Sequence, residues 1–176
     1  MEKEKSINKV PIDIVFQLEE IGKEIRRILQ IQPDEIIDMW NFISKIKDTF
    51  KDFLIFEKSN NNFLYARDGK IIIAYDYFSK ESSKYTSEFI MNSICYTILN
   101  LDRINDNFKL NESSIIFNKE AECLCNAILF PEKLYVHEMI STSRCDGRVN
   151  IEEMAKKFKV KEYSIISRCR DLRIWN

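Results

Sequence analysis

FIMNSICYTILNL, residues Phe89 to Leu101, predicts a buried helix around which the rest of the chain is arranged. Apolar residues recur there at helical spacing and cover more of the helix circumference than a surface stripe does. They are Phe89, Ile90, Met91, Ile94, Cys95, Ile98, Leu99 and Leu101. A helix that is apolar on several sides must pack against several other elements, and the flanking sequence supplies them.

Three apolar runs of strand length precede this helix, at Phe53–Phe56, Phe63–Ala66 and Ile71–Tyr75. Between the last two runs, Asp68 and Gly69 supply the positive backbone angles of a tight hairpin. Asparagines at 60–62 have turn composition and separate the first two runs. The sequence therefore predicts a small antiparallel sheet of about three strands.

Two amphipathic helices are predicted before the sheet. The first runs from Ile12 to Leu29 with charged residues, including Glu19 and Arg26, on its outer face. The second runs from Glu35 to Phe50, and Asp34 provides its N-cap. Its predicted inward residues are Ile37, Trp40, Ile43 and Ile46.

Polar segments at Ser79–Ser87 and Asp102–Ser114 predict loops on either side of the Phe89 helix. Ile116–Phe130 then predicts a further helix, which Pro131 ends because proline lacks an amide hydrogen and disfavours helix in the residue before it. Leu134–Met139 predicts a short continuation.

The last segment predicts a pair of helices. The turn-like STSRCDGR segment, Ser141–Arg148, separates it from the preceding chain. Asn150 and Glu153 have capping-box spacing at the start of IEEMAKKF. A turn at 159–161 and a second helix from Tyr163 complete an arrangement resembling a helix-turn-helix.

Composition places the chain in a broad class. With 45% hydrophobic and 31% charged residues among 176, it fits a globular protein, and its net charge of −1 does not indicate a partner. Apolar runs are too short to cross a bilayer, and the charged start MEKEKSINKV lacks the apolar stretch of a secretory signal. Five cysteines without framework spacing indicate reduced thiols, so we expect a cytoplasmic protein without a membrane partner.

The order and spacing of four segments resemble the ImmA/IrrE-type zinc metallopeptidases. In that family a strand hairpin leads into a helix with FTLAHELGH-like sequence. A helix ending in an AAELLMP-like motif and a module like LAKRFGVSEEALLIRLKDLGL follow. The corresponding segments here are FLYARDGKIIIAYDYFS, EFIMNSICYTIL, CLCNAILFP and IEEMAKKFKVKEYSIISRCRDLRIW.

The resemblance implies an α+β, mostly helical zincin-like metallopeptidase fold. In this interpretation residues 1–140 form the metallopeptidase-like domain, which includes the N-terminal helices. Residues 148–176 form the helix-turn-helix-like C-terminal module. The small antiparallel sheet precedes the helix that carries zinc ligands in the family.

The chain departs from the family at the catalytic positions. A zincin uses two histidines one helical turn apart and a glutamate between them. Alignment puts Ser93 and Thr97 at the histidine positions and Ile94 at the glutamate position. The chain has a single histidine, His137, so one chain cannot supply a two-histidine site. The zinc expected in the family therefore lacks its ligands here, and we predict no catalytic residue, no metal and no cofactor.

The third family ligand is a glutamate, and counting back from Pro131 puts Asn118 at its position. Glu120 and Glu122 are close enough to be alternatives, although both are also expected on the solvated face of a helix. We interpret the chain as a degenerate member of the family.

Cysteines offer another route to a metal, because Cys95, Cys123 and Cys125 lie on the two helices that carry ligands in the family. Cys123 and Cys125 would point to different sides of a helix, since two residues turn by about 200°. Burial as small hydrophobic residues is the commoner role of cysteine. His137, next to Glu138, is expected at the surface.

The basic tail offers a contact surface for a partner. Its candidate contact residues are Lys161, Ser164, Arg168, Arg170 and Arg173. Acidic residues at 152, 153, 162 and 171 dilute the positive charge, which favours protein over nucleic acid as the partner.

These features favour a non-catalytic regulatory or interaction protein on a metallopeptidase scaffold. By resemblance, its partner would be a helix-turn-helix transcriptional repressor or related regulator of a phage or mobile element. Two alternatives are a zinc endopeptidase with non-standard ligands that cleaves such a repressor, and a DNA-binding regulator that uses the tail. The sequence does not indicate the oligomeric state.

Overall fold

The computed structural model describes residues 9–76, 83–143 and 148–174, which fold into the predicted α+β class. Within these ranges the helices are α1 (Ile12–Ile28), α2 (Met39–Thr49), α3 (Ser83–Leu99), α4 (Glu112–Ile116), α5 (Lys119–Leu129), α6 (Glu132–Ser141), α7 (Ile151–Phe158) and α8 (Glu162–Asp171). The strands are β1 (Leu54–Ser59), β2 (Phe63–Arg67), β3 (Lys70–Asp76) and β4 (Lys109–Asn111). No helix in these ranges has both the length and the apolar character required to cross a membrane.

The β2–β3 hairpin is confirmed. The two strands pair antiparallel, with Leu64 opposite Ile73. At the turn, Asp68 has φ 54° and Gly69 has φ 69°, the positive angles that a two-residue hairpin turn requires. Local turn chemistry therefore sets this part of the fold.

The prediction of an antiparallel sheet of about three strands was wrong in strand number and in one pairing. The sheet has four strands in the order β1-β3-β2-β4, and β1 runs parallel to β3. All four residues from Ile71 to Ala74 are buried, so β3 takes the interior position of a strand covered on both faces. The fourth strand, β4, is mostly exposed and shows no apolar alternation that would have revealed it.

The second helix begins later than predicted. Asp38, and not Asp34, caps α2 by accepting a hydrogen bond from the Asn41 amide at 2.9 Å. Before α2, the guanidinium of Arg26 donates to the carbonyls of Gln32 at 2.5 Å and Glu35 at 2.7 Å. This side chain holds the segment before α2 in a non-helical conformation.

Several predicted side-chain positions also differ. Trp40 was predicted to point inward and is exposed, whereas Phe42 is fully buried. Arg26 and Glu19 were predicted on the outer face of α1 and are both buried. Their burial is possible because each has a polar or charged partner from another element.

The central helix is confirmed as α3, with different ends. It includes residues 83–87, which were predicted as loop, while residues 79–82 of that predicted loop lie outside the described residues. The Thr86 hydroxyl donates to the Asp76 carbonyl at 3.1 Å and fixes the first turns of α3 to the end of β3. Leu101 begins a separate 3₁₀ turn, Leu101–Arg103, and is exposed.

The predicted helix Ile116–Phe130 is interrupted. Asn111 caps α4 by accepting from the Ser114 amide at 3.1 Å, and Asn118 caps α5 by accepting from the Ala121 amide at 2.8 Å. Because asparagine side chains compete for backbone amides, they begin new helices here. At the other end, α5 stops at Leu129 before Pro131, as predicted, and α6 follows.

The C-terminal helix pair is also confirmed. The Asn150 side chain accepts from the Glu153 amide at 3.3 Å, as the capping-box spacing predicted. The Glu153 carboxylate accepts from the side-chain amide of Asn150 at 2.9 Å, where a capping box would use the backbone amide. Lys159 takes φ 56° at the end of α7 and turns the chain toward α8. Of the predicted boundary Ser141–Arg148, residues 144–147 lie outside the described residues.

One core contains side chains from both ends of the sequence. Helices α1 and α5 cross so closely that a Cβ on Gly22 would lie 3.1 Å from the Cβ of Ala127. The rings of Phe130 and Phe158 meet edge-on at 5.0 Å between centroids. The Tyr135 hydroxyl donates to the Ile165 carbonyl at 2.7 Å, so α7 and α8 pack against the α5–α6 region.

A buried ion pair connects α8 to α1. The side chains of Arg168 and Glu19 contact each other and are 0% and 4% exposed. Arg168 Nε also donates to the Phe130 carbonyl at 2.9 Å. Arg168 therefore joins the start of the chain, the end of α5 and the last described helix.

Arg168→Met is expected to lower the free energy of unfolding by about 3–5 kcal/mol, because it leaves Glu19 as an unpaired buried charge. Arg170→Met is the matched control, since Arg170 is exposed and should change stability by less than about 0.5 kcal/mol. Urea denaturation followed by circular dichroism measures both variants.

The double variant Glu19→Leu/Arg168→Met should recover much of that loss, because it removes both charges together. Equal stabilities of Arg168→Met and Arg170→Met would show that the ion pair between Arg168 and Glu19 does not hold α8 in place.

Candidate functional site

The α3 residues that the resemblance aligns with the family's catalytic motif are all buried. Ser93 and Ile94 are at most 2% exposed, and Thr97 is 8% exposed. Neither the Ser93 hydroxyl nor the Thr97 hydroxyl has a hydrogen-bond partner in the described part of the chain. A catalytic zinc ion needs nitrogen, sulfur or carboxylate ligands and an open position for water. Two hydroxyls and an isoleucine, closed off from solvent, do not fit a zinc ion.

Ile94 and Thr97 instead form part of the wall of an apolar cavity of about 260 Å³. The cavity lies between α1, α2, α3 and the first residues of β1 and β3. The residues that line it are Ile25, Ile28, Leu29, Ile46, Phe50, Phe53, Leu54, Ile71, Ile94, Thr97, Ile98 and Leu101. No polar atom of the described residues contributes to its surface. This apolar cavity can accommodate an apolar group, but the described residues give it no polar atom that could act as a ligand to an ion.

Asn118, at the third ligand position, has a structural role as the N-cap of α5. Of its two acidic neighbours, Glu120 is exposed. Glu122 pairs with Lys119 at 2.7 Å and accepts from the Ser167 hydroxyl at 2.8 Å. These contacts use the polar groups near position 118 to hold α5 and α8 together.

The three cysteines considered as metal ligands are buried, as expected for small hydrophobic residues. Burial, together with the neighbouring Cys125 thiol, raises the pKa of the Cys95 thiol. Burial, with the charge of Asp171, also raises the pKa of Cys123. Cys123 and Cys125 thus face different surroundings, as helix geometry predicted.

Other potential metal ligands are dispersed. Among the described residues, no group of three or more His, Cys, Asp or Glu side chains is placed to hold a metal ion. His137 is exposed on α6, as expected. Glu138 beside it is buried and paired with Lys157.

The tail residues predicted to contact a partner have different environments. Arg168 is fully buried against Glu19, so the prediction that it contacts a partner was wrong. Arg173 is partly buried and donates to the Val10 carbonyl at 2.7 Å. Arg170 is exposed. Lys161 and Ser164 line a cleft that the sequence did not predict.

This aromatic cleft, of about 390 Å³, lies between α3, α5 and the start of α8. Three aromatic rings at its edge are substantially exposed: Tyr85 by 45%, Phe117 by 75% and Tyr163 by 53%. The residues that line the cleft are Met39, Tyr85, Glu88, Asn92, Ile116, Phe117, Lys119, Glu122, Cys125, Asn126, Leu129, Lys161, Tyr163 and Ser164. The cleft combines apolar and polar groups, as protein-binding surfaces do.

Charges inside the aromatic cleft neutralise each other. Lys161 pairs with Glu88 at 2.6 Å, and Lys119 pairs with Glu122. The Lys161 ammonium also lies 5.5 Å from the centroid of the Tyr85 ring. Since the two lysines are both paired with carboxylates, the cleft does not present a field that would favour a phosphate backbone.

The sequence did contain a signal for this cleft. Tyr85 lies in a segment predicted as loop, and Tyr163 lies in the polar first turn of α8. Aromatic residues in polar segments have no core to enter and are candidates for surface recognition. Phe117 could not be identified in this way, because a continuous helix was predicted through it.

No family model, curated protein or solved structure matches this chain. The resemblance to ImmA/IrrE-type metallopeptidases therefore rests on the segments quoted above.

Thr97→Val is expected to raise the free energy of unfolding by about 1 kcal/mol, because it removes a buried hydroxyl without a partner and keeps the side-chain shape. Thr86→Val is the matched control, because Thr86 is equally buried but donates to Asp76. It should lower stability by about 1 kcal/mol. Urea denaturation should therefore give changes in the free energy of unfolding of opposite sign for the two variants. A loss of stability in both would contradict the conclusion that the Thr97 hydroxyl has no hydrogen-bond partner among the described residues.

Proposed function

We propose that this chain is a non-catalytic regulatory protein that binds another protein through the aromatic cleft. By resemblance, its scaffold is that of an ImmA/IrrE-type metallopeptidase, and its partner is a helix-turn-helix repressor or related regulator of a phage or mobile element. The observation that carries the proposal is the group of exposed rings of Tyr85, Phe117 and Tyr163 around a cleft of about 390 Å³.

Exposed aromatic rings favour a protein partner for energetic reasons. Tyrosine and phenylalanine bury a large area on binding, while few rotatable bonds are immobilised. Residues of this kind dominate the binding energy of many protein interfaces. The paired charges of the aromatic cleft also suit a partner segment without high net charge.

The environment of α3 supports the non-catalytic part of the proposal. Ile94 stands where the family has its general base, and a hydrocarbon side chain cannot accept a proton from water. Ser93 is closed off from solvent and has no histidine to activate it, so it is not arranged as a nucleophile. A scaffold can lose these groups and retain a protein-binding surface elsewhere.

The alternative of DNA binding through the tail has little structural support. Arg168 is buried, Lys161 is paired with Glu88, and Arg173 is bound to the Val10 carbonyl. Phosphate binding would require cations that are free to replace counterions. These contacts favour a structural role for the tail over binding to DNA.

The proposal is tested first by sequencing the genes next to the one for this chain, where a helix-turn-helix regulator is expected, and then with that regulator. The two purified proteins are expected to co-elute in size-exclusion chromatography, with the intact mass of the regulator unchanged. Truncation of an aromatic residue that dominates an interface typically costs about 2 kcal/mol or more, so Phe117→Ala should raise the dissociation constant at least about tenfold by calorimetry.

Phe16→Ala is the matched control, because Phe16 is 61% exposed on α1 and does not line the aromatic cleft. It should leave the dissociation constant unchanged. Equal effects of the two variants would contradict the assignment of the cleft. Fragments of the regulator, with about one zinc per chain by mass spectrometry, would instead support the endopeptidase alternative.

A further inference from the structure

We propose that the apolar cavity is a second binding site, which takes the hydrocarbon chain of a small uncharged amphiphile. The cavity extends from the surface into the core. Ile46 and Ile94 in its wall are each 2% exposed, whereas Ile28, Phe53 and Leu101 are 48%, 52% and 62% exposed. A ligand can therefore enter between these three apolar residues.

The size of the cavity favours a chain over one inserted side chain. A dry apolar cavity of about 150 Å³ is filled by a benzene molecule. The present cavity, at about 260 Å³, would remain partly empty around one phenylalanine or leucine of a protein partner. Protein interiors rarely leave such space unfilled, so an elongated apolar ligand fits better.

The chemistry of the wall restricts the ligand further. Because no polar atom of the described residues faces the cavity, a polar group placed inside would lose its hydrogen bonds to water without replacement. The buried part of the ligand must be hydrocarbon. The head group would remain at the mouth, near Ile28 and Leu101, in contact with water. Because none of the described residues that line the cavity is charged, nothing among them would pair with a charged head group, which favours a hydroxyl or similar uncharged group.

The cavity is independent of the proposed protein-binding site. Among the described residues, it shares no lining residue with the aromatic cleft. Helix α3 contributes Ile94, Thr97 and Ile98 to the cavity, whereas it contributes Tyr85, Glu88 and Asn92 to the cleft. Ligand binding can therefore be measured, and can fail, separately from partner binding.

The test uses 1-hexanol, 1-octanol and 1-decanol as probes of the full chain in isothermal titration calorimetry. Affinity should rise about fourfold for each added methylene until the cavity is full, since each methylene leaves water. 1,8-Octanediol should bind at least about tenfold more weakly than 1-octanol, because one hydroxyl must enter the apolar wall.

Ile98→Trp should fill the cavity and weaken 1-octanol binding at least about tenfold, because Ile98 is half-buried in its wall. Ile140→Trp is the matched control, because Ile140 is 68% exposed on α6 and does not line the cavity. It should leave 1-octanol binding unchanged. Circular dichroism verifies that both variants are folded.

If Ile98→Trp does not fold, Leu101→Asp tests the same site at its exposed mouth, where it should weaken 1-octanol binding at least threefold. Absence of 1-octanol binding to the unmodified chain, or equal binding to the two tryptophan variants, overturns the proposal. Dissociation of a dimer by 1-octanol in analytical ultracentrifugation also overturns it, because the cavity would then belong to an interface with a second copy.

Discussion

The buried contact between Arg168 and Glu19 is the constraint on which the arrangement of the helices depends. A charge removed from water is tolerated only when another group compensates it, and here the two charges come from α8 and α1. Arg168 also binds the Phe130 carbonyl at the end of α5. These three elements must therefore assemble together. The wall that α8 contributes to the aromatic cleft, including Tyr163 and Ser164, is held in place by this contact below the surface.

Helix α3 divides the molecule into two chemically different environments. Toward α5 and α8, its residues Glu88 and Asn92 contribute to the polar and aromatic cleft. Toward α1 and α2, its residues Ile94 and Ile98 face only hydrocarbon. The two sides of α3 therefore contribute to separate sites, one polar and aromatic and the other apolar.

Features set by neighbouring residues could be predicted from the sequence, and features set by distant residues could not. The turn at Asp68 and Gly69, the stop before Pro131 and the cap at Asn150 each depend on a few consecutive residues. The position of β3 between β1 and β2 depends on which strands pair with its two hydrogen-bonding edges. Among the predicted contact residues, Lys161 and Ser164 do line a cleft. Arg168 does not, because it is buried against Glu19, almost at the other end of the chain. The charge pattern of the tail alone cannot distinguish such a buried arginine from an exposed one.

The distance along the chain between Glu19 and Arg168 has a consequence for biosynthesis. The ribosome produces α1 long before α8, so Glu19 lacks this partner until Arg168 has been synthesised. Contacts between remote segments also form slowly, because loop closure precedes any energetic gain. Closure of the α1–α5 core around this carboxylate is therefore unfavourable until α8 has left the exit tunnel. Nascent chains that lack α8 keep an unpaired charge in this core and are exposed to proteases and chaperones.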